Sequence, residues 1–373
     1  MPKRESKGVK PRRPKQEAKG IKLRRLEIKN YKLFDSLTLE FPAPRMKDDP
    51  DVIVMGSKNG LGKTSVLECC ALLFLGAAAG KRVDELRSFP EWPVDPRRLL
   101  IRAGASEFLI QGLFHCNSRE KRIQFRLCKS GPIETKGSIE AFASVLGQHV
   151  PRVEELAEQF AFTLMGLVPD PFIVLPLLYF HSYRKVREGN AGFASVFNGD
   201  GTYRRYSYGS ENMYPMSMFK MEVVRLMMGR ASLVPDLEPV NSQVALDELN
   251  SLVERYVGGR IERMDILQGG QLDLQVTPSR GGTPFTFDSL SSGQKEIIST
   301  LFLIWRYTRD RPGIVLIDEP ELHLNAEWHR DFIQQLHRLA PQNQYIIATH
   351  SEDVFASVEK DRCLLLLGPK GAR

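Results

Sequence analysis

Apolar positions recur along this chain with two different periods, and the switches between them mark out its elements. Leu23 to Ile28 and Leu37 to Phe41 alternate apolar and polar residues, the pattern of strands buried on one face, around a turn at Asn30 to Phe34. Asp51 to Met55 is a short apolar run that predicts a buried strand. Thr64 to Leu75, rich in Ala, Leu and Cys, predicts a helix covered by a sheet. Alternation returns at Glu107 to Cys116 and Arg122 to Lys129, a second strand pair expected in an antiparallel layer.

Ile139 to Gly166 is helical in pattern, and Phe172 to Phe180 is a continuous apolar run. It predicts one buried strand that delivers His181-Ser182-Tyr183-Arg184 to a sheet edge. Residues 189 to 212 have no apolar period and predict a long surface loop. Inside it, Tyr203-Arg204-Arg205-Tyr206-Ser207-Tyr208 interleaves aromatic and Arg side chains. Such a run suits a packed loop and also suits stacked bases with held phosphates, and both readings stay open.

Six methionines, Met213, Met216, Met218, Met221, Met227 and Met228, accompany a helical pattern and suit helix core. Val244, Leu249, Leu252, Val253 and Tyr256 form one stripe of an amphipathic helix. Strand-like runs follow at Arg260 to Leu267, Leu272 to Val276 and Pro284 to Phe287, and Ile314 to Ile317 and Tyr345 to Thr349 read as buried strands. The expected plan is a tail over 1–20 and one domain over 21–373, with an insertion over roughly 139–256 forming a helical lobe. No sustained heptads or internal repeats interrupt it.

Composition changes this picture little. The 373 residues are 42% hydrophobic and 26% charged, as in a soluble globular protein. The net charge of +7 is local: residues 1 to 20 carry eight Lys/Arg against Glu5 and Glu17, a net of +6. A solvated arm and a contact to a phosphate backbone are the two readings of that tail. The five cysteines, Cys69, Cys70, Cys116, Cys128 and Cys363, form no CxxC pair, which argues against a disulfide framework or a zinc site and for a reducing cytoplasm. No apolar run is long enough to expect a membrane span.

Chemistry enters at Ser57-Lys58-Asn59-Gly60-Leu61-Gly62-Lys63-Thr64, which fits the phosphate-binding G-x-x-x-x-G-K-[ST] loop except that Ser57 replaces the first Gly. Gly60 and Gly62 let backbone amides close on phosphate, Lys63 neutralises its oxygens and Thr64 offers a magnesium ligand. Ser57, Lys58, Asn59 and Ser65 complete the expected ATP cradle, at the start of a helix whose dipole favours an anion. The run Ile314 to Ile317 ends in Asp318-Glu319, where Asp318 is the expected magnesium acid and Glu319 the residue that polarises the attacking water.

Leu290-Ser291-Ser292-Gly293-Gln294, 27 residues before Asp318 when counted from Ser291, resembles the signature of ABC-type ATPases. With DEPELHL (318–324) and ATHS (348–351), it makes the chain similar to stand-alone prokaryotic ABC-type ATPases of the AAA-15/AAA-21 kind, including the ATPase part of overcoming-lysogenisation-defect proteins. That resemblance implies an α/β fold, a P-loop NTPase of ABC type with an antiparallel β layer. It implies that Ser291, Gly293 and Gln294 meet ATP held by a second subunit, that His350 senses the γ-phosphate, and that Glu321 to Asn325 lies where subunits touch. It further implies an ATP- and Mg-dependent ATPase that works as a head-to-tail homodimer beside a separately encoded effector such as a nuclease or toxin, in anti-phage defence, with DNA as a further candidate partner. With 23 residues after His350 in this sequence, the nuclease of the overcoming-lysogenisation-defect proteins is not expected within it. A RecF- or SMC-like DNA-repair ATPase and a detached transporter cassette are the competing readings. The stretch of about 225 residues between Thr64 and Leu290 weighs against the cassette.

Overall fold

The computed structural model describes residues 20–46, 49–56, 60–79, 96–116, 119–130, 133–137, 163, 170–186, 188–189, 217–233, 237–268, 270–322, 324–368 and 371–372. Strands β1 (Ile21–Tyr31) and β2 (Phe34–Glu40) form a hairpin. Strand β3 (Asp51–Gly56) and helix α1 (Lys63–Ala79) flank the phosphate loop. The short helix α2 (Pro96–Leu100) precedes β4 (Glu107–Cys116), β5 (Arg119–Cys128) and β6 (Ile133–Gly137). With the hairpin these make an antiparallel sheet in the order β2-β1-β4-β5-β6. In β1 the buried set shifts from Ile21 and Leu23 to Leu26 and Ile28, which a strict alternation forbids. A register irregularity between Leu23 and Arg25 supplies the extra residue that turns both sets inward.

The apolar run at 172–180 is two strands where the sequence predicts one. β7 (Phe172–Val174) and β8 (Leu177–Phe180) fold antiparallel around Leu175-Pro176, since Pro176 has no N–H to continue a ladder. The helical lobe expected over 139–256 is therefore interrupted, because β8 pairs parallel with the strand that carries Asp318. Its first helical stretch, 139–166, lies outside the described residues apart from Thr163, as does most of the loop at 189–212 with the Tyr/Arg run. Helices α3 (Met218–Arg230) and α4 (Pro239–Val257) follow, the second started by Pro239 and stopped by left-handed Gly258. A three-stranded sheet of β9 (Gly259–Ile266), β10 (Leu272–Pro278) and β11 (Phe285–Thr286) leads into α5 (Ser292–Thr308).

Strand β12 (Ile314–Asp318), helix α6 (Ala326–Leu339), strand β13 (Gln344–Thr349), the short helix α7 (Glu352–Ala356), strand β14 (Cys363–Gly368) and strand β15 (Gly371–Ala372) complete the fold. The central sheet runs β15-β14-β3-β13-β12-β8-β7, with β14, β3, β13, β12 and β8 parallel. Two cores sit on its faces. Ile53, Met55, Leu316 and Ile346 join α1 and the antiparallel sheet, while Val52, Val54, Val315 and Ile347 join α3 to α6. Helix α1 lies between two sheets and is buried from Ser65 to Ala77, which is why its sequence is apolar all round. The parallel order brings the carboxyl ends of β3, β12 and β13 to one edge of the sheet, where such folds bind ligands.

Candidate active site

The phosphate loop follows β3. Gly60 and Gly62 have φ of 76° and 93°, the left-handed region that favours glycine. At Gly62 a Cβ would also lie 2.4 Å from the Phe34 ring, so the β1–β2 hairpin packs directly on the loop. Lys63 is buried, and Thr64 and Ser65 open α1, whose first turn carries no acid to compete with an anionic ligand. Burial lowers the Lys63 pKa, against the opposing charges of Glu319, Asp318 and Glu321. The hairpin is tied to α1 through Glu68, which accepts from Tyr31 Oη at 2.9 Å and from Lys32 Nζ at 2.6 Å. Ser57, Lys58 and Asn59 lie outside the described residues.

Strand β12 delivers Asp318 to this loop. Thr64 Oγ1 donates to Asp318 Oδ2 at 2.8 Å, joining two predicted magnesium ligands that are 254 residues apart. Asp318 is completely buried, and desolvation pushes its pKa up to about 7; the Thr64 hydrogen bond opposes that shift and the neighbouring Glu319 adds to it. Its other oxygen, Oδ1, is buried with no hydrogen-bond partner. A buried carboxylate beside a hydroxyl, with one oxygen left over, fits a hard cation. Among the described residues no group of three or more His, Cys, Asp or Glu converges on a metal position. A cation here would therefore draw further ligands from water or substrate, as magnesium does in phosphate sites.

Glu319 has φ of 47°, a left-handed conformation that costs a non-glycine residue about 1–2 kcal/mol. Its N–H donates to Ala348 O at 2.7 Å, which anchors the turn across the sheet to β13. The side chain meets His350, with Nε2 of the imidazole 3.2 Å from Glu319 Oε1. On the ring's other side, Lys63 Nζ lies 3.4 Å from Nδ1. An ammonium only donates, so Nδ1 accepts and Nε2 carries the proton that faces Glu319. Lys63, Thr64, Asp318, Glu319 and His350, drawn from three separate segments, thus form one connected group.

The signature residues are organised differently. Ser291 caps α5, accepting from Gln294 N, while Gln294 Oε1 accepts from Ser291 N at 3.1 Å, a reciprocal capping box. Gln294 Nε2 donates to Tyr256 O at the end of α4. Gly293 is buried and Ser291 is exposed, so the hydroxyl and the α5 N-terminus face solvent while Gln294 is occupied within its own chain.

Two residues named in the sequence for other reasons, Glu321 as part of a subunit contact and Arg184 as part of a strand's polar tip, hold this site together. Glu321 accepts from Thr349 Oγ1 at 2.8 Å, His350 N at 2.5 Å and Ser351 N at 3.2 Å, and so fixes the loop that presents His350. Its position two residues after Glu319 was the available signal. The second is Arg184, buried beyond β8, whose Nη1 donates to Asp318 O at 2.6 Å. A lone guanidinium at the end of a strongly apolar run was its signal.

Residues 203–356, which include Ser291, Asp318, Glu319 and His350, match the family described as "AAA domain, putative AbiEii toxin, Type IV TA system". The chain is 29% identical over 116 residues to "Retron Vc95 probable ATPase" of Vibrio cholerae serotype O1 biovar El Tor, over 28% of this chain and 22% of that one. It is 22% identical over 342 residues to "Septu protein PtuA" of Bacillus mycoides (strain KBAB4), over 88% of this chain and 38% of that one. It thus spans well under half the length of these curated relatives. Among solved structures, an SMC head bound to the C-winged helix domain of ScpA is similar with a TM-score of 0.52 at 15% identity, over 92% of this chain and 94% of that one. That likeness is one of fold. Fold and site together define a head of the P-loop NTPase type. In particular, the chain is similar to the stand-alone prokaryotic AAA/ABC-like ATPases, as the sequence resemblance implied. No helix among the described residues is long and apolar enough to cross a membrane.

Proposed function

We propose that the protein hydrolyses ATP within a head-to-tail homodimer, and that closure of this dimer controls a separately encoded effector in a cytoplasmic anti-phage defence system. The observation that carries the dimer is the split between the two groups of motif residues. Lys63, Thr64, Asp318, Glu319 and His350 are connected to one another, whereas Ser291 is exposed and its hydroxyl hydrogen-bonds to Gln294 of its own helix. A second copy, related by two-fold symmetry, supplies Ser291 to the phosphate group of the first.

Within one site, Lys63 holds phosphate, Thr64 and Asp318 hold magnesium, and Ser57, Lys58, Asn59, Gly60, Gly62 and Ser65 complete the cradle. A bound magnesium ion supplies charge neutralisation at the transferring phosphoryl group. Glu319, held by its N–H and faced by His350, orients and deprotonates the attacking water, and His350 is placed to register whether Lys63 is engaged by substrate. The defence role and the effector are read from the sequence resemblance, and the likeness to a retron probable ATPase and to a Septu protein supports that reading.

The test is the native mass of Glu319→Gln with and without ATP and magnesium. A dimer that accumulates only with nucleotide supports the reading, and a monomer under both conditions rejects it. Co-expression with adjacent genes, followed by purification of the trapped dimer, tests the effector: a stoichiometric nuclease- or toxin-like partner supports it.

A further inference from the structure

Residues 181–186 follow β8 beside the Asp318 strand and residues 188–189 lie against α5 and its approach, and both stretches are fastened. In the first lies Arg184, which is buried. Its Nη1 donates to Asp318 O at 2.6 Å and to its own loop at His181 O at 2.8 Å, and Nη2 donates to Glu319 O at 3.4 Å. Its Nε lies 2.5 Å from Glu296 Oε1 on α5, and Glu296 is itself buried and accepts from Thr300 Oγ1. In the second, Gly189 N donates to Asp288 Oδ2 at 2.8 Å, and Lys220 pairs with Asp288 and donates to Gly189 O at 3.0 Å. Glu188 pairs at 3.0 Å with Lys295, which is buried beside Glu296 and also donates to Asp288 O.

Two consecutive residues of α5, Lys295 and Glu296, are therefore ion-paired to these two stretches. The first of them holds the backbone carbonyls of both acids at the tip of β12. We propose that Arg184 is a positioning residue that couples the two ATP sites of the dimer, transmitting the position of the Asp318-Glu319 peptide at one site to the signature helix that serves the other. The inference rests on the dimer proposed above, in which one chain's acids and the same chain's Ser291 act on different ATP molecules. A planar guanidinium suits this task. Its two Nη groups donate to three carbonyls, those of His181, Asp318 and Glu319, while its charge pairs with Glu296, and a lysine cannot reproduce that fork. A cavity of about 20 Å³ lined by Arg184, Glu296, Ser299 and Thr300 adjoins the pair, the room of roughly one water.

The experiment compares wild type, Arg184→Lys and the double variant Arg184→Gln/Glu296→Gln in steady-state ATP hydrolysis, with nucleotide affinity measured separately by a fluorescent ATP analogue. Removing both charges together leaves no unpaired buried ion, so the double variant remains informative where a single neutral variant does not fold. The expected result is nucleotide affinity within about twofold of wild type, kcat lowered by about tenfold or more, and a Hill coefficient reduced to about 1 in both variants. A double variant with wild-type kcat and wild-type cooperativity overturns the inference. Glu319→Gln is weighed in parallel with ATP and magnesium. If it dimerises while the Arg184 variants stay cooperative, the coupling alone is wrong; if it stays monomeric, the dimer reading fails and the coupling with it.

Discussion

At the scale of single residues, Asp318 carries the sharpest consequence. A carboxyl whose pKa rises from 3.8 to about 7 on folding binds its proton more tightly in the folded than in the unfolded chain. The stability this provides is fully present below the ordinary carboxylate value and is lost as pH rises through about 7. Asparagine mimics the protonated side chain at every pH. The nucleotide-free Asp318→Asn protein should therefore exceed wild type in stability by more at pH 8 than at pH 5, with the gap widening by on the order of 2 kcal/mol. Urea denaturation at both pH values measures it, and an equal gap at the two would show that burial does not govern this group. Glu321 gives a second residue-scale prediction. Its carboxylate holds Thr349, His350 and Ser351 together, and glutamine keeps only one acceptor oxygen. Glu321→Gln should lower kcat by about tenfold through a displaced His350 while leaving ATP affinity within about twofold; a change confined to affinity would contradict this role.

At the scale of elements, the strand that carries the phosphate loop is fixed at its base by charge. Asp51 is buried at the start of β3 and pairs with Arg24 of β1 and with Arg362 just before β14, each at 2.8 Å. Asp51→Asn leaves two largely buried guanidiniums without their countercharge and should cost about 3–5 kcal/mol of stability. Thermal unfolding checks this, and a loss below about 1 kcal/mol would mean the pairs are solvated. None of this pairing was legible in the sequence, because it joins strands far apart in the chain. What was legible had a local cause. The alternation of β4 gave its bounds, and the order of Lys63, Asp318, Glu319 and His350 gave the connected site, because Lys63 opens the helix after one buried strand and the other three sit at or just after the ends of two more. The β7–β8 hairpin was hidden because both strands are wholly buried, so apolar content ran through the turn and Pro176 alone marked it. Ser291 and Gln294 were read as nucleotide contacts, yet they also spell the S-x-x-Q capping box that starts α5.

At the scale of the whole molecule, that double role of Ser291 makes the dimer testable without disturbing the fold. Aspartate caps a helix as well as serine does, so Ser291→Asp should keep α5 intact while setting a negative charge against the γ-phosphate of a partner. Lys63→Ala removes the phosphate lysine and leaves the signature untouched. Each variant alone should be inactive in hydrolysis, because every composite site in its homodimer is defective. The most direct measurement is ATP hydrolysis by an equimolar mixture of the two purified, separately inactive proteins. A head-to-tail dimer predicts that activity returns to roughly a quarter of wild type, since half of randomly formed dimers are mixed and each then holds one intact site. A mixture as inactive as its parts, with both variants folded, would contradict the shared active site on which this account depends.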